Sequence, residues 1–461
     1  MGVGVSDWRL ARAVSLRGEL GVVSGTGIDT LLVRRLQDGD PGGHVRRAMR
    51  RFPIPHASED ALRRYFNAHG RPPLAPYRVL PKYKQVVSKA REELTMLAAF
   101  VEVYLAKEGH ESPVGMNLLT KVQLPNLALL YGAMLAGVDY VLMGAGLPRG
   151  IPGALDLLTE HRPASLRFEV QGVPAGETLE LTIDPRSHWE GTPPEIRRPR
   201  FLAIVASNSL ATLLSRKTDS RVDGFVIEGP SGGGHNAPPR GEPKPNERGE
   251  PSYGIRDVVD LEKIREIGVP FWIAGGAGWP ERLREALDAG AAGIQVGTLF
   301  AYCEESGLIE NLKRSVLSHA ARGEVDVITD SRASPTGYPF KIVRWRDDPA
   351  AGVVRERICD VGGLRVPYLT SKGQIGYRCP AEPVDDYVRK GGRVEETEGR
   401  ACLCNALMAN IGLGQVRAGG WHEPPMVTSG HDLNSISAFL EGRTHYSAAD
   451  VIDYLLSAVA A

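Results

Sequence analysis

The chain has 461 residues, 42% of them hydrophobic, and its 55 basic and 55 acidic side chains cancel to a formal net charge of zero. That length exceeds one ordinary domain and suits a large barrel with an appendage, and the apolar fraction is ample for its core. The balance of charge excludes the overall basic bias of a nucleic-acid binder, and no stretch reaches the roughly 18 apolar residues of a membrane span.

Residues 1–10 lack the apolar run after basic residues that marks a signal peptide. Five cysteines in so long a chain do not form a secretory disulfide framework, so a cytoplasmic protein is expected. The local basic cluster Arg34, Arg35, Arg46, Arg47, Arg50 and Arg51 reads as a solvated helix face with a loop.

Short apolar runs bounded by Gly or Pro read as buried parallel strands. In chain order they are 20–24, 114–119, 140–145, 201–206, 225–228, 271–274 and 293–300. Helical patterns fall between them, at 7–15, 124–136 and 280–289, with Pro280 in the first turn of the last and Gly290 at its end. Strand and helix in alternation imply a parallel α/β sheet. The polar motifs follow several different strands at their C-terminal ends, which selects a TIM (β/α)8 barrel over a doubly wound sheet. No GxGxxG opens a helix after the first strand, as a dinucleotide fold would require.

Seven strands are readable and the barrel needs eight. Residues 1–6 already read as a strand-to-helix loop, so the first strand is expected to precede Met1. The barrel is expected over residues 1–325, with an Arg- and Pro-rich insertion at 44–93 and a β-hairpin at 166–184. A helix at 308–321 closes it. Residues 326–461 form a Gly- and Pro-rich C-terminal lobe ending in an amphipathic helix at 447–461.

The strongest motif is VDGFVIEGPSGGGHNAPPRG at 222–241. A buried strand runs into three glycines and then His235. Consecutive glycines let backbone approach a flat ligand, and a histidine there can move a proton near neutral pH. The bland alternative is a flexible loop with an incidental histidine; Pro238 and Pro239 argue for stiffness. FWIAGGAG at 271–278 and GIQVGTLF at 293–300 resemble the phosphate-binding pair after the last two strands of many barrels. Backbone N–H groups of Gly275, Gly276, Ala277, Gly297 and Thr298 can face an anion there.

These three motifs, with VGMNLL at 114–119 and the opening MGVGVSDWRLARAVSLRGELGVVSG, resemble the nitronate monooxygenase (2-nitropropane dioxygenase) family of FMN-binding barrels, related to a flavin-dependent enoyl-ACP reductase. The resemblance covers about two-thirds of the chain. It implies FMN as cofactor, with Gly275, Gly276, Gly297 and Thr298 at its phosphate. Asn117, Gln295, Gly233, Gly234 and Ala277 are implied at the flavin or ribityl chain, and Ser207 as a further contact. It implies His235 as the base that removes the α-proton of a nitroalkane or orients a nitronate. Met143, Gly144, Ala145, Gly146 and Asn236 are implied to line the substrate side. The family commonly follows the histidine with Arg-Gly, whereas this chain has HNAPPRG, which puts the substrate in question and not the flavin.

Three functions compete. One is nitronate oxidation with oxygen, one is NAD(P)H-dependent reduction of an enoyl thioester, and the last is a flavin-free phosphate-binding barrel enzyme. A small-molecule substrate is common to all, and a homo-oligomer is compatible with each. Separately, Cys359, Cys379, Cys402 and Cys404 cluster late in the chain. Four thiolates could hold structural zinc or an iron–sulfur cluster, although the usual CxxC pairs are absent. Cys303 reads as core.

Overall fold

The computed structural model describes residues 2–216, 220–241 and 244–459. The strands expected to be parallel form one seven-stranded sheet. In chain order β1 is Gly21–Ser24, β2 Val114–Leu119 and β3 Tyr140–Gly144. A side hairpin follows, β4 (Ala164–Phe168) with β5 (Leu179–Ile183), where the 166–184 hairpin was expected. The sheet resumes with β6 (Arg200–Val205), β7 (Gly224–Glu228), β8 (Phe271–Ala274) and β9 (Gly293–Gln295). Its order is β1-β2-β3-β6-β7-β8-β9, every pairing parallel.

Alternation along these strands sorts side chains to two faces. Met143, Ala203, Phe225, Ile227 and Phe271 point outward into the large core beneath the helices. Leu142, Leu202, Val226 and Ala274 point inward, and there they meet Val22 of β1 and Trp272 of β8. Residues from both ends of the strand order, Val22 of β1 and Gln295 of β9, line one cavity, as a curled sheet requires. The sheet is nonetheless open. Among the described residues β1 pairs only with β2, and β9 only with β8. The eighth strand expected before Met1 lies outside the described residues.

The expected strand 293–300 stops at Gln295, because Gly297 leaves extended geometry (φ −121°, ψ −50°) and Thr298–Ala301 forms a helical turn. The early insertion is helical at His44–Met49 and Pro55–Tyr65 and leads into the long buried helix Lys89–Lys107, capped by Ser88, whose hydroxyl accepts from Arg91 N–H. The solvated reading of the basic cluster is corrected for two members. Arg34 is 2% exposed, and Arg35 Nη2 pairs with Asp7 at 2.7 Å and reaches Glu102 as well. The helix Ile28–Gln37 carries both, and its faces are almost wholly enclosed.

Beyond residue 325 two antiparallel hairpins appear that Gly and Pro density had hidden: β10 (Val325–Asp330) with β11 (Phe340–Trp345), and β12 (Val366–Leu369) with β13 (Ile375–Arg378). This region shares cores with the sheet domain. Leu10 and Leu299 pack with Val343, Val427, Phe439 and Val451, while Val3, Leu31 and Tyr77 pack with Met408 and Leu413. The last helix is Ala448–Leu456, started by a capping box between Ser447 and Asp450. Among the described residues no helix is long and apolar enough to cross a membrane.

Candidate active site

The C-terminal ends of the sheet strands open into one cavity of about 680 Å³, a size suited to a cofactor with a substrate. Asn117 within β2, Gly144 and Ala145 at the end of β3, and Gly233, Gly234 and His235 after β7 line it. Gly275, Gly276 and Ala277 after β8, Gln295 at the end of β9 and Gly297 and Thr298 beyond it complete the wall. Motifs separated by up to 181 positions (Asn117 to Thr298) therefore meet around one space.

His235 is fixed by contacts from the C-terminal region. Its Nε2 lies 2.7 Å from Ser334 Oγ, and its ring stands edge-on to Phe340 with centroids 4.8 Å apart. The glycine run is pinned on both sides. Gly234 N–H donates to Thr428 Oγ1 at 2.9 Å, and Lys341 N–H donates to Gly234 C=O at 2.9 Å. The β10–β11 hairpin is thus the main brace for the histidine. Burial lowers the His235 pKa well below the usual histidine value, and the nearby Lys121 charge lowers it further. The imidazole is therefore neutral at neutral pH, the form that can accept a proton.

Gly275 and Gly276 form a backbone cradle that no other residue fits. Their φ values are +83° and +69°. A Cβ on Gly275 would sit 2.8 Å from Gly229 C=O, and one on Gly276 would sit 2.8 Å from Ser231 Oγ. Both glycines line the cavity, and successive backbone N–H groups in such turns are the elements of anion-binding concavities. Thr298 Oγ1 accepts from Gly430 N–H at 3.1 Å. Asp432 also approaches the cradle, its Oδ2 accepting from Gly278 N–H at 3.4 Å. Burial pushes the Asp432 carboxyl above the usual range.

Four expected positions do not line the cavity. Met143 is 0% exposed and belongs to the outward core, because strand alternation sends Leu142 and Gly144 inward instead. Asn236 is 2% exposed and braces the loop, Nδ2 donating to Gly232 C=O at 3.0 Å and its own N–H to Pro339 C=O at 3.0 Å. Gly146 lies beyond the wall, with Thr120 against it. Ser207 lies off the cavity too, its Oγ accepting from Leu210 N–H at 3.1 Å at a helix start.

The sequence reading passed over Lys121, Glu228, Ser429 and Asp432, all of which line the cavity. Lys121 follows β2 by two residues and Glu228 ends β7. Burial lowers the Lys121 pKa to about 7 against the opposing pull of Glu228, whose own pKa burial raises. Orphaned buried polar atoms mark a wall built for a polar ligand. Among the described residues Asn117 Oδ1 and Lys121 Nζ have no hydrogen-bond partner.

Cys359, Cys379, Cys402 and Cys404 do come together, on the wall of a second, small cavity with Glu382. The metal expectation is corrected, however. Among the described residues no group of three or more His, Cys, Asp or Glu side chains is placed to hold a metal ion. Burial raises the Cys359 pKa and carries that of Cys379 to about 12. A hydrogen bond with Cys404, together with burial, raises that of Cys402. Cys359, Cys379 and Cys402 are thereby enclosed thiols that favour the protonated form. Cys303 is buried in the core, as expected, with Sγ donating to Phe300 C=O at 3.2 Å.

Residues 198–333 match the family model described as nitronate monooxygenase. A nitronate monooxygenase from Pseudomonas aeruginosa is 28% identical over 202 residues, 44% of this chain and 51% of that protein. The chain thus spans about half the length of the curated relative it matches. Among solved structures, FabK from Thermotoga maritima aligns over 98% of this chain and 89% of its own at 16% identity, TM-score 0.48. Nitroalkane oxidase from Streptomyces ansochromogenes aligns over 100% and 94% at 14% identity, TM-score 0.46.

Proposed function

We propose, from the relationship of this chain to the nitronate monooxygenase family, that it is an FMN-dependent oxidoreductase that oxidises alkyl nitronates with oxygen, with His235 as its base. The observation that carries the reading is the meeting of His235, Asn117 and the Gly275–Gly276 cradle around one cavity. The residues present suit a flavin mononucleotide. Gly275 and Gly276 line the cavity with successive left-handed φ values, a backbone form suited to an anion, and the unpartnered Asn117 Oδ1 seeks a donor.

Gly275, Gly276, Ala277, Gly297 and Thr298 would hold the phosphate, through backbone N–H groups and one hydroxyl. Gly233 and Gly234 would let the loop lie close to the ring system, and Asn117 and Gln295 would hydrogen-bond to it or to the ribityl chain. Bound flavin would supply the electron acceptor. Gly144 and Ala145 would bound the substrate. His235, neutral and braced by Ser334, would take the proton from the carbon next to nitrogen or orient a nitronate already formed.

The test is a paired assay on purified protein. Flavin absorption should accompany the chain, and oxygen uptake with propionate 3-nitronate should exceed NAD(P)H consumption with a crotonyl thioester. A colourless protein that takes up no added FMN would overturn the flavin. Turnover of the thioester with NAD(P)H, without oxygen uptake on nitronate, would replace the reaction by enoyl reduction.

A further inference from the structure

Lys121 has no structural employment in the described molecule. Its Nζ is enclosed and has no hydrogen-bond partner. It does not reach solvent as long cationic side chains usually do. Its close neighbour is the Tyr338 ring, whose centroid lies 4.5 Å away, while Glu228, whose own carboxyl burial pushes toward the protonated form, attracts it without a hydrogen bond. A cation–π contact takes one side of an ammonium and leaves its other N–H donors unused. Burying an unpaired ammonium opposes folding, so such a group persists where a bound partner completes it. The cavity wall that holds Lys121 also holds His235 and Glu228.

We propose that Lys121 is a catalytic residue whose ammonium receives the oxygens of a planar anionic substrate head, the nitro group as it becomes a nitronate. The proposal rests on the functional reading given above. In the step it serves, the C–H bond next to nitrogen breaks and the proton passes to the imidazole of His235. The released pair forms the carbon–nitrogen double bond, and the negative charge settles on the two oxygens that face Lys121. Lys121 keeps its own proton throughout and acts as a fixed charge aimed where charge develops. The same ammonium would receive the oxygens of a nitronate supplied ready-made. Loss of Lys121 then appears in kcat with a neutral nitroalkane and in KM with a preformed nitronate.

The groups facing Lys121 are Glu228 from the end of β7, His235 from the loop after it and the Tyr338 ring from the turn between β10 and β11. Its pKa of about 7 means that charge, and with it anion affinity, falls as pH rises through neutrality. His235, held well below the usual value, stays neutral across that range.

The probe is inorganic nitrate, a planar anion with the oxygen arrangement of a nitronate head, titrated calorimetrically into the full chain as purified. Nitrate is expected to bind at pH 6 and to weaken about tenfold or more at pH 8.5 and in Lys121→Met, the range for losing a hydrogen bond to a charged group. Lys121→Arg should keep the affinity and lose the pH dependence. Nitrate binding that is absent from the wild type, equal in Lys121→Met, or equally pH-dependent in Lys121→Arg would overturn the proposal. The titration needs neither flavin nor turnover. A colourless protein with Lys121-dependent nitrate binding would sink the flavin reading alone, and a yellow, active protein indifferent to Lys121→Met would sink this one alone.

Discussion

Ser334 Oγ lies 2.7 Å from His235 Nε2 across 99 positions of chain. Ser334 Oγ also lies 2.8 Å from Thr336 Oγ1, and Arg400 Nη1 donates to Ser334 C=O at 2.6 Å. The histidine is therefore oriented by a short polar network in the C-terminal region. Ser334→Ala should lower kcat about three- to tenfold, the worth of one neutral hydrogen bond, with flavin content unchanged. Steady-state kinetics beside flavin absorbance checks this, and an unaltered kcat would show that Phe340 packing is enough.

Replacing His235 should damage chemistry far more than cofactor binding. His235→Ala removes a proton acceptor, whose loss costs roughly 10²–10⁴-fold in rate. The loss should be greatest with a neutral nitroalkane, whose C–H proton must be taken, and smaller with preformed nitronate. Because burial and Lys121 hold the imidazole below its ordinary pKa, the acid limb of kcat/KM in the wild type should lie below pH 6.5. A His235→Ala protein that loses only its flavin would make the histidine a cofactor contact.

Gly297 separates cofactor space from fold. A Cβ there would meet nothing within 4 Å, and its φ of −121° suits any residue. Gly297→Ala should keep the Tm and lower the flavin bound per chain. Gly275→Ala faces Gly229 C=O at 2.8 Å and a φ of +83°, and should cost about 1–3 kcal/mol of stability as well. Equal Tm losses in the two variants would refute this separation.

The parts of this site that were legible in the sequence are those written in one place. Apolar runs bounded by Gly or Pro marked β2, β7 and β8, because strands buried on both faces carry few polar residues. The glycines of 275–276 and the histidine after 232–234 announced themselves by type and order. What was not legible depends on contacts between distant segments. Ser334, Thr428, Gly430 and Asp432 reach the site only after the C-terminal region folds over the strand ends. Lys121 carries no signal in the sequence, since lysines are almost never buried without a partner. Met143 was misplaced by treating a run of four residues as a wall, although a strand sends alternate side chains to opposite sides.

Asp432 places a carboxylate beside the cradle expected to hold a phosphate. Its Oδ2 takes the Gly278 N–H, and a Cβ on Gly276 would lie 3.7 Å from its Oδ1. Like charges so near disfavour each other, by about 1 kcal/mol even in water-like surroundings. Asp432→Asn keeps a side-chain oxygen for Gly278 and removes the repulsion. FMN should bind up to about tenfold more tightly, measured by fluorescence quenching of free flavin, with riboflavin, which lacks the phosphate, unaffected. Equal gains for both ligands would move the effect away from the phosphate.

Lys121→Met should stabilise the protein while impairing it. Among the described residues Nζ has no hydrogen-bond partner, and a buried unsatisfied group costs about 1–3 kcal/mol, more when charged. Methionine fills similar space without that cost. The sign follows from the lowered pKa of about 7, against an ordinary lysine value of 10.5. Between these values the unfolded chain binds a proton that the folded chain does not, so wild-type stability gains from this group as pH rises from 7 toward 10.5 and loses it as pH falls back. The advantage of Lys121→Met should therefore be largest at pH 7 and below and shrink toward pH 10. Thermal unfolding followed at pH 6.5, 8 and 9.5 measures it, as a Tm higher by a few degrees that converges on the wild type. A variant less stable than the wild type at pH 6.5 would mean that the Tyr338 contact and Glu228 together already offset the burial of the charge.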